Sequence, residues 1–278
     1  MNYEQAVQSL RRLPEAGELV RQSYLDRDVN EAARRFGDSE EMDEVAKILG
    51  LVSSRRLLIA DVGCGNGIAA HAMAAMGHDI ICIDPDPSRE VGLGAIVGFG
   101  NGMKGSVQTA LASAEGIPIA DESVDRVYTR QSMHHFRNIE EAMRECSRIM
   151  KRGAIFFGTR EHVISDALER EVFLRHHVMQ ALHGQENAFT LAEYTSAIER
   201  AGLRLMSVIG RMESVINFYP GKESERVSEL AEAAAARFGV IAKWVVTAIP
   251  TSRGRVARWL SKYDRYPGRL HSFLAVKT

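Results

Sequence analysis

A buried strand that runs straight into a glycine-rich turn and restarts as a helix leaves a chain few folds to choose from, and residues 57–76 form such a stretch. Leu57-Leu58-Ile59-Ala60-Asp61-Val62 reads as an apolar strand, and Gly63-Cys64-Gly65-Asn66-Gly67 follows without a break. Residues 68–76, rich in Ala and Met, then read as a helix closed by Gly77. Without Cβ atoms the turn bends sharply, and a ligand can reach the bare N–H groups at the helix start, where a carboxylate or phosphate is favoured. A second strand over 79–83 leads to Asp84, 21 residues beyond Gly63, close to the spacing of an acid that binds ribose hydroxyls.

The rest of the chain repeats the pattern of short apolar runs separated by helical stretches, which predicts an α/β fold with parallel strands and helical crossovers. Further strands are expected at 107–111, 124–128 and 154–159, with a later pair at 203–209 and 272–276. A helix over 139–150 places Ile139, Ala142, Met143, Cys146, Ile149 and Met150 on one face. Residues 1–55 show helical periodicity among many charges and are expected to form an N-terminal helical cap. Residues 56–278 are then the core, with inserted segments at about 161–190 and 211–268 that are expected to form the substrate pocket. No internal repeat is visible.

Glycines and one acid do not separate two cofactor classes, because Gly65-Asn66-Gly67-Ile68-Ala69-Ala70 also satisfies the GxGxxA form of the dinucleotide fingerprint. Motif order separates them. Asp61-Val62-Gly63-Cys64-Gly65-Asn66-Gly67, Asp84, Ser113-Ala114-Glu115-Gly116-Ile117-Pro118, Asp121-Glu122-Ser123-Val124-Asp125, Met133-His134-His135-Phe136 and Arg148-Ile149-Met150-Lys151-Arg152-Gly153 resemble, in sequence order, the motifs of class I S-adenosylmethionine-dependent methyltransferases, especially the small-molecule branch. The resemblance covers about residues 57–160. It implies a Rossmann-like sheet of seven strands whose last strand is antiparallel, and S-adenosylmethionine as cofactor with S-adenosylhomocysteine as product. It also implies that Gly63, Gly65 and Gly67 hold the methionine portion with Asp61 close behind, that Asp84 and the adjacent Pro85 hold the ribose, and that Ser113, Ala114 and Glu115 hold the adenine. Two departures stand out: Ser113 replaces the usual acid facing the adenine amino group, and Arg152-Gly153-Ala154 replaces a Pro-Gly-Gly turn. A weaker resemblance of Tyr128-Thr129-Arg130-Gln131, Arg160-Glu161-His162 and Gly184-Gln185-Glu186-Asn187-Ala188 to bacterial methyltransferases of surface-polysaccharide gene clusters implies a polar acceptor, such as a sugar. The alternatives are an NAD(P)-dependent oxidoreductase and a non-catalytic S-adenosylmethionine-binding module.

Ligands of open parallel sheets sit beyond the carboxyl ends of the strands, which selects Arg130, Gln131, His134, His135, Glu161 and His162. In the methyltransferase arrangement Arg130 and Gln131 border the methionine end, and Arg130 is expected to pair with the cofactor carboxylate. His162, Glu161 and His135 are the candidate bases or substrate anchors, since imidazole and carboxylate suit proton transfer near neutral pH. The competing readings are a packed core histidine for His134 or His135 and a capping pair for Glu161 and His162. His183, Glu186 and Asn187, beside Gly184, are either substrate contacts or a polar turn.

His176-His177 offers no metal spacing, because adjacent helical side chains diverge, and no metal is expected. Cys64, Cys82 and Cys146 lie far apart without CxxC spacing, which fits a reducing cytoplasmic setting. A formal net charge of -1, with 26% charged residues, supplies no global positive field for nucleic acid or an anionic membrane, so the expected partner is a small molecule. Oligomeric state is not encoded in any motif. Arg34 and Arg35, with Tyr24 nearby, read either as part of a lid over an anionic or polar substrate or as a solvated helix face, and the run Arg253, Arg255, Arg258, Lys262 and Arg265 either attracts an acidic acceptor or is a solvated face. Trp244 and Trp259 are expected to anchor the inserted helices to the core.

Overall fold

The fold was read from a computed structural model that describes residues 2–53, 55–96, 103–218 and 220–278. The N-terminal stretch is helical: α1 (Tyr3–Leu10), α2 (Gly17–Gln22), α3 (Val29–Gly37) and α4 (Glu40–Leu49). α1 begins in a reciprocal capping box, Asn2 Oδ1 accepting from Gln5 N and Gln5 Oε1 from Asn2 N. α4 starts at the Ser39 cap and ends at Gly50, whose φ of 70° turns the chain out of the helix. The α/β part follows as β1 (Leu58–Val62), α5 (Ile68–Ala75), β2 (Asp79–Asp84), α6 (Leu93–Ile96), β3 (Val107–Leu111), β4 (Val124–Arg130), α7 (Ile139–Ile149) and β5 (Met150–Ile164). Then come α8 (Ala167–His176), α9 (Val178–Leu182), β6 (Phe189–Thr190), α10 (Leu191–Arg200), β7 (Leu203–Ile209), α11 (Glu223–Phe238), α12 (Val240–Ala248), α13 (Pro250–Tyr263) and β8 (Arg269–Lys277).

The sheet runs β3-β2-β1-β4-β5-β8-β7, and two-residue β6 pairs beside the end of β5. The first five strands are parallel to their neighbours, whereas β8 is antiparallel to both β5 and β7. The sheet is therefore the expected seven-stranded path with one short strand added. Two residues of Phe-Thr carry no periodicity from which β6 could be read.

Strand residues alternate between two hydrophobic layers, as a pleated sheet covered on both faces requires. Ile59, Ile80, Tyr128 and Phe157 face α3, α4 and α5 through Phe36, Met42, Val45 and Met73. Ala60, Val62, Val127, Phe156 and Phe273 face α7 and α10 through Met143, Cys146, Ile149, Tyr194 and Ile198. α5, apolar all round, is accordingly buried between sheet and N-terminal helices.

β5 departs most from its expected bounds, continuing past Thr159 to Ile164. Arg160 adopts φ 61°, and pairing with β8 slips between Gly158 and Glu161. This bulge lets a polar Arg-Glu-His sequence continue as strand where loop was expected. α11 to α13 build a small cluster of their own around Leu230, Ala234, Val246 and Ala257. The expected anchoring role of the tryptophans is corrected there: Trp244 is 63% exposed, and Trp259 packs on Phe238 and Tyr263 within the same helices. Among the described residues no helix is long and apolar enough to cross a membrane.

Candidate functional site

The turn after β1 and the segment after β4 meet at close quarters. Gly63, Gly65 and Gly67 all have positive φ, at 70°, 53° and 77°. At Gly63 space adds a second demand, since a Cβ there would lie 2.5 Å from the Ser132 side chain. Gly63 N donates to Ile83 O at 2.7 Å, and Gly65 N donates to Asp84 Oδ2 at 2.8 Å, so the turn is tied to the end of β2. Above it opens a cleft of about 460 Å³, within the range of small-molecule sites. Asp61, Gly63, Gly65, Asp84, Pro85, Ser113, Ala114, Glu115, Arg130 and Gln131 line it; Gly67 stands behind as the N-terminal cap of α5. Glu115 is already engaged, its Oε1 accepting from the N–H groups of Arg137 and Asn138 at the start of α7.

Asp61 has a specific electrostatic state. Burial pushes its carboxyl up to about 7, the nearby Asp84 adding to the effect and Arg130 opposing it. Its Oδ2 is buried without a hydrogen-bond partner among the described residues, an acceptor that a ligand donor would satisfy.

Arg130 requires a correction. Its guanidinium grips Glu41 of α4 in a bidentate pair, Nε to Oε1 at 2.7 Å and Nη2 to Oε2 at 3.0 Å, with both side chains buried. The Tyr24 and Phe36 rings lie about 5 Å from it, at 5.3 Å and 5.2 Å. The carboxylate expected from a cofactor is thus supplied by the N-terminal helices, and no sequence motif marks Glu41 as a residue that reaches the end of β4. Gln131, at φ 51°, turns its Oε1 onto Arg130 Nη1.

The other end of the cleft is lined by histidines. His134, His135 and His162 are joined by His177, which lies between α8 and α9, and by Glu186. Glu161 does not line the cleft: it is fully buried, and its carboxylate accepts from the N–H groups of Ser132, Met133 and His134 and contacts His134 Nδ1 at 2.7 Å. Burial pushes the Glu161 carboxyl up while those backbone donors pull it down. With its lone pairs spent on the turn, Glu161 is a positioning group, which corrects its candidacy as a base. Burial also lowers His134 and His162 to about 3, so both imidazoles are neutral near pH 7, and it raises Glu186 to about 7. His162 Nδ1 meets Gly268 O at 3.0 Å.

The segment at 161–190 therefore reaches the cleft through His162, His177, Met179, His183, Gln185 and Glu186, while no described residue of 211–268 lines it. α1 was missed as a wall of the site. Tyr3 lines the cleft with its ring edge-on to His183, and Gln8 and Arg11 hold Glu90 in the loop after β2. The periodicity of Val7 and Leu10 showed that α1 packs, not against what.

Residues 60–158 match a family described as a methyltransferase domain. A ubiquinone biosynthesis O-methyltransferase of Rhizobium johnstonii is 23% identical over 158 residues, which cover 55% of this chain and 62% of that protein. The chain thus spans somewhat less than two thirds of that relative. An S-adenosylmethionine-dependent methyltransferase from Mesorhizobium loti superposes with a TM-score of 0.55 at 16% identity, over 86% of this chain and 98% of that one. The [4+2]-cyclase SpnF superposes with a TM-score of 0.54 at 19% identity, over 88% and 80%.

Proposed function

We propose that this chain, which carries a class I S-adenosylmethionine-dependent methyltransferase domain, transfers a methyl group to a hydroxyl of a small polar acceptor, a sugar or related metabolite. The observation that carries the reading is a single cleft with a glycine cradle and an unsatisfied buried carboxylate oxygen at one end and a cluster of imidazoles at the other. S-adenosylmethionine supplies a sulfonium methyl carbon open to in-line displacement. It fits the residues present: the ligand amine would meet Asp61 Oδ2, Gly63 and Gly65 would leave room for the methionine portion, Asp84 would hold the ribose, and Ser113 and Ala114 would hold the adenine.

What the chain adds is positioning and exclusion of water. Tyr3 and the segment around Gln185 and Glu186 wall the cleft, and His135, His162 and Glu186 offer polar atoms that would hold an acceptor hydroxyl and receive its proton. A cyclase shares the sheet, so fold alone does not fix the chemistry, and the reading rests on the site.

The oxidoreductase alternative is not favoured. Dinucleotide sheets of the doubly wound type are mostly parallel, whereas here antiparallel β8 lies between β5 and β7. Parallel calorimetric titration with S-adenosylhomocysteine, S-adenosylmethionine and NAD(H) tests the proposal. Saturable binding of the sulfur nucleotides alone supports it, and selective NAD(H) binding overturns it. A screen of hydroxylated acceptors then separates an enzyme from a binding module.

A further inference from the structure

Three imidazoles converge on one carboxylate oxygen at the acceptor end of the cleft. His134 Nε2, His135 Nε2 and His177 Nδ1 lie 3.9, 3.8 and 3.8 Å from Glu186 Oε2. The ligand atoms of His134, His135 and Glu186 all fall within 4.8 Å of one another. A tetrahedral ion with bonds near 2.1 Å holds its ligands ~3.4 Å apart, so closing on an ion asks the contacts to Glu186 to shorten by about half an ångström and the widest pair by at most about 1.4 Å.

The surroundings match a ligand set better than a packed polar core. Buried imidazoles normally spend their nitrogens on protein partners, yet His177 Nδ1 is buried with no hydrogen-bond partner. His134 has the partner that metal-bound histidines have: Nδ1 is held by buried Glu161, which aims Nε2 at Glu186. Glu161 is itself fixed by the backbone of the turn it supports.

We propose that His134, His135 and Glu186, with His177 beside Glu186, form a binding site for one divalent first-row transition ion, Zn²⁺ or a close relative, facing the cleft. Nitrogen-rich donors with one carboxylate suit such ions and not Mg²⁺ or Ca²⁺, which take oxygen. An ion there would act as a Lewis acid toward an acceptor oxygen, lowering the pKa of its hydroxyl so that the proton leaves to solvent instead of to the imidazole cluster. That role rests on the proposed transferase reading; binding of the ion does not.

The test is calorimetric titration of the metal-stripped full chain with ZnCl₂, repeated with CoCl₂ while following visible absorption. One ion per chain and a ligand-field band characteristic of nitrogen ligation are expected. His135→Ala, at a side chain 40% exposed and therefore tolerant, and isosteric Glu186→Gln should each abolish or strongly weaken binding. Glu161→Gln should weaken it by about 10–100-fold through His134. Each variant is also titrated with S-adenosylhomocysteine and checked by circular dichroism. Absence of saturable Zn²⁺ and Co²⁺ binding, or binding unchanged in both His135→Ala and Glu186→Gln, overturns the site. If S-adenosylhomocysteine still binds in that case, the cofactor reading stands without the metal; if the ion binds and S-adenosylhomocysteine does not, the reverse holds.

Discussion

At Asp61 the fold holds a carboxyl where its neutral form is favoured, since burial raises it to about 7. The unfolded chain ionises there near the ordinary value of 3.8, so this residue takes stability away as pH rises from about 4 to 7. A ligand amine on Oδ2 favours the ionised form and expels the proton. Affinity for S-adenosylhomocysteine should therefore climb with pH, by at most about tenfold per unit, and flatten above pH 7. Calorimetry in buffers of different ionisation enthalpy should register proton release below pH 7 that Asp61→Asn abolishes. Glu41 gives the second test at this scale. Glu41→Ala leaves the buried Arg130 guanidinium without its bidentate partner, and should destabilise the protein by about 3–5 kcal/mol in urea unfolding. The sequence made Asp61 legible, because its place before Gly63 fixes its environment. Glu41 was not legible, since an acid in the first turn of a helix looks like any other surface acid.

Between elements, the turn after β1 packs closely against the 3₁₀ turn Met133–His135 and Ser132 before it. Gly63→Ala places a methyl group 2.5 Å from Ser132 on a backbone at φ 70°. Overpacking of that kind costs about 1–3 kcal/mol, and widening the junction should also abolish cofactor binding. The check is a melting curve with and without S-adenosylhomocysteine, in which the variant melts lower and gains nothing from the ligand. Strands β1 to β4 were readable because each is an apolar run between turn signals. The end of β5 was not, because Arg160, Glu161 and His162 are polar residues whose partners, Ser272, the 133–135 turn and Gly268, arrive from elsewhere in the chain.

Across the whole molecule, packing is uneven. The sheet is covered on both faces by large clusters, whereas α11 to α13 rest on a small cluster of their own and leave Val240, Ile241 and Trp244 exposed. Hydrogen exchange should therefore proceed through α12 and α13 well before the amides of β1, β4 and β5. Equal protection of both regions would show that the helices share the stability of the sheet. The sequence by itself determined the parallel α/β core and the glycine cradle, because strand burial, positive φ and the spacing to Asp84 are local properties of consecutive residues. Only the tertiary structure decided which charges meet and which histidines converge. Arg130 and Glu41 are 89 residues apart, and His134 meets His177 and Glu186 from a different segment of the chain, so no local spacing carries their contact.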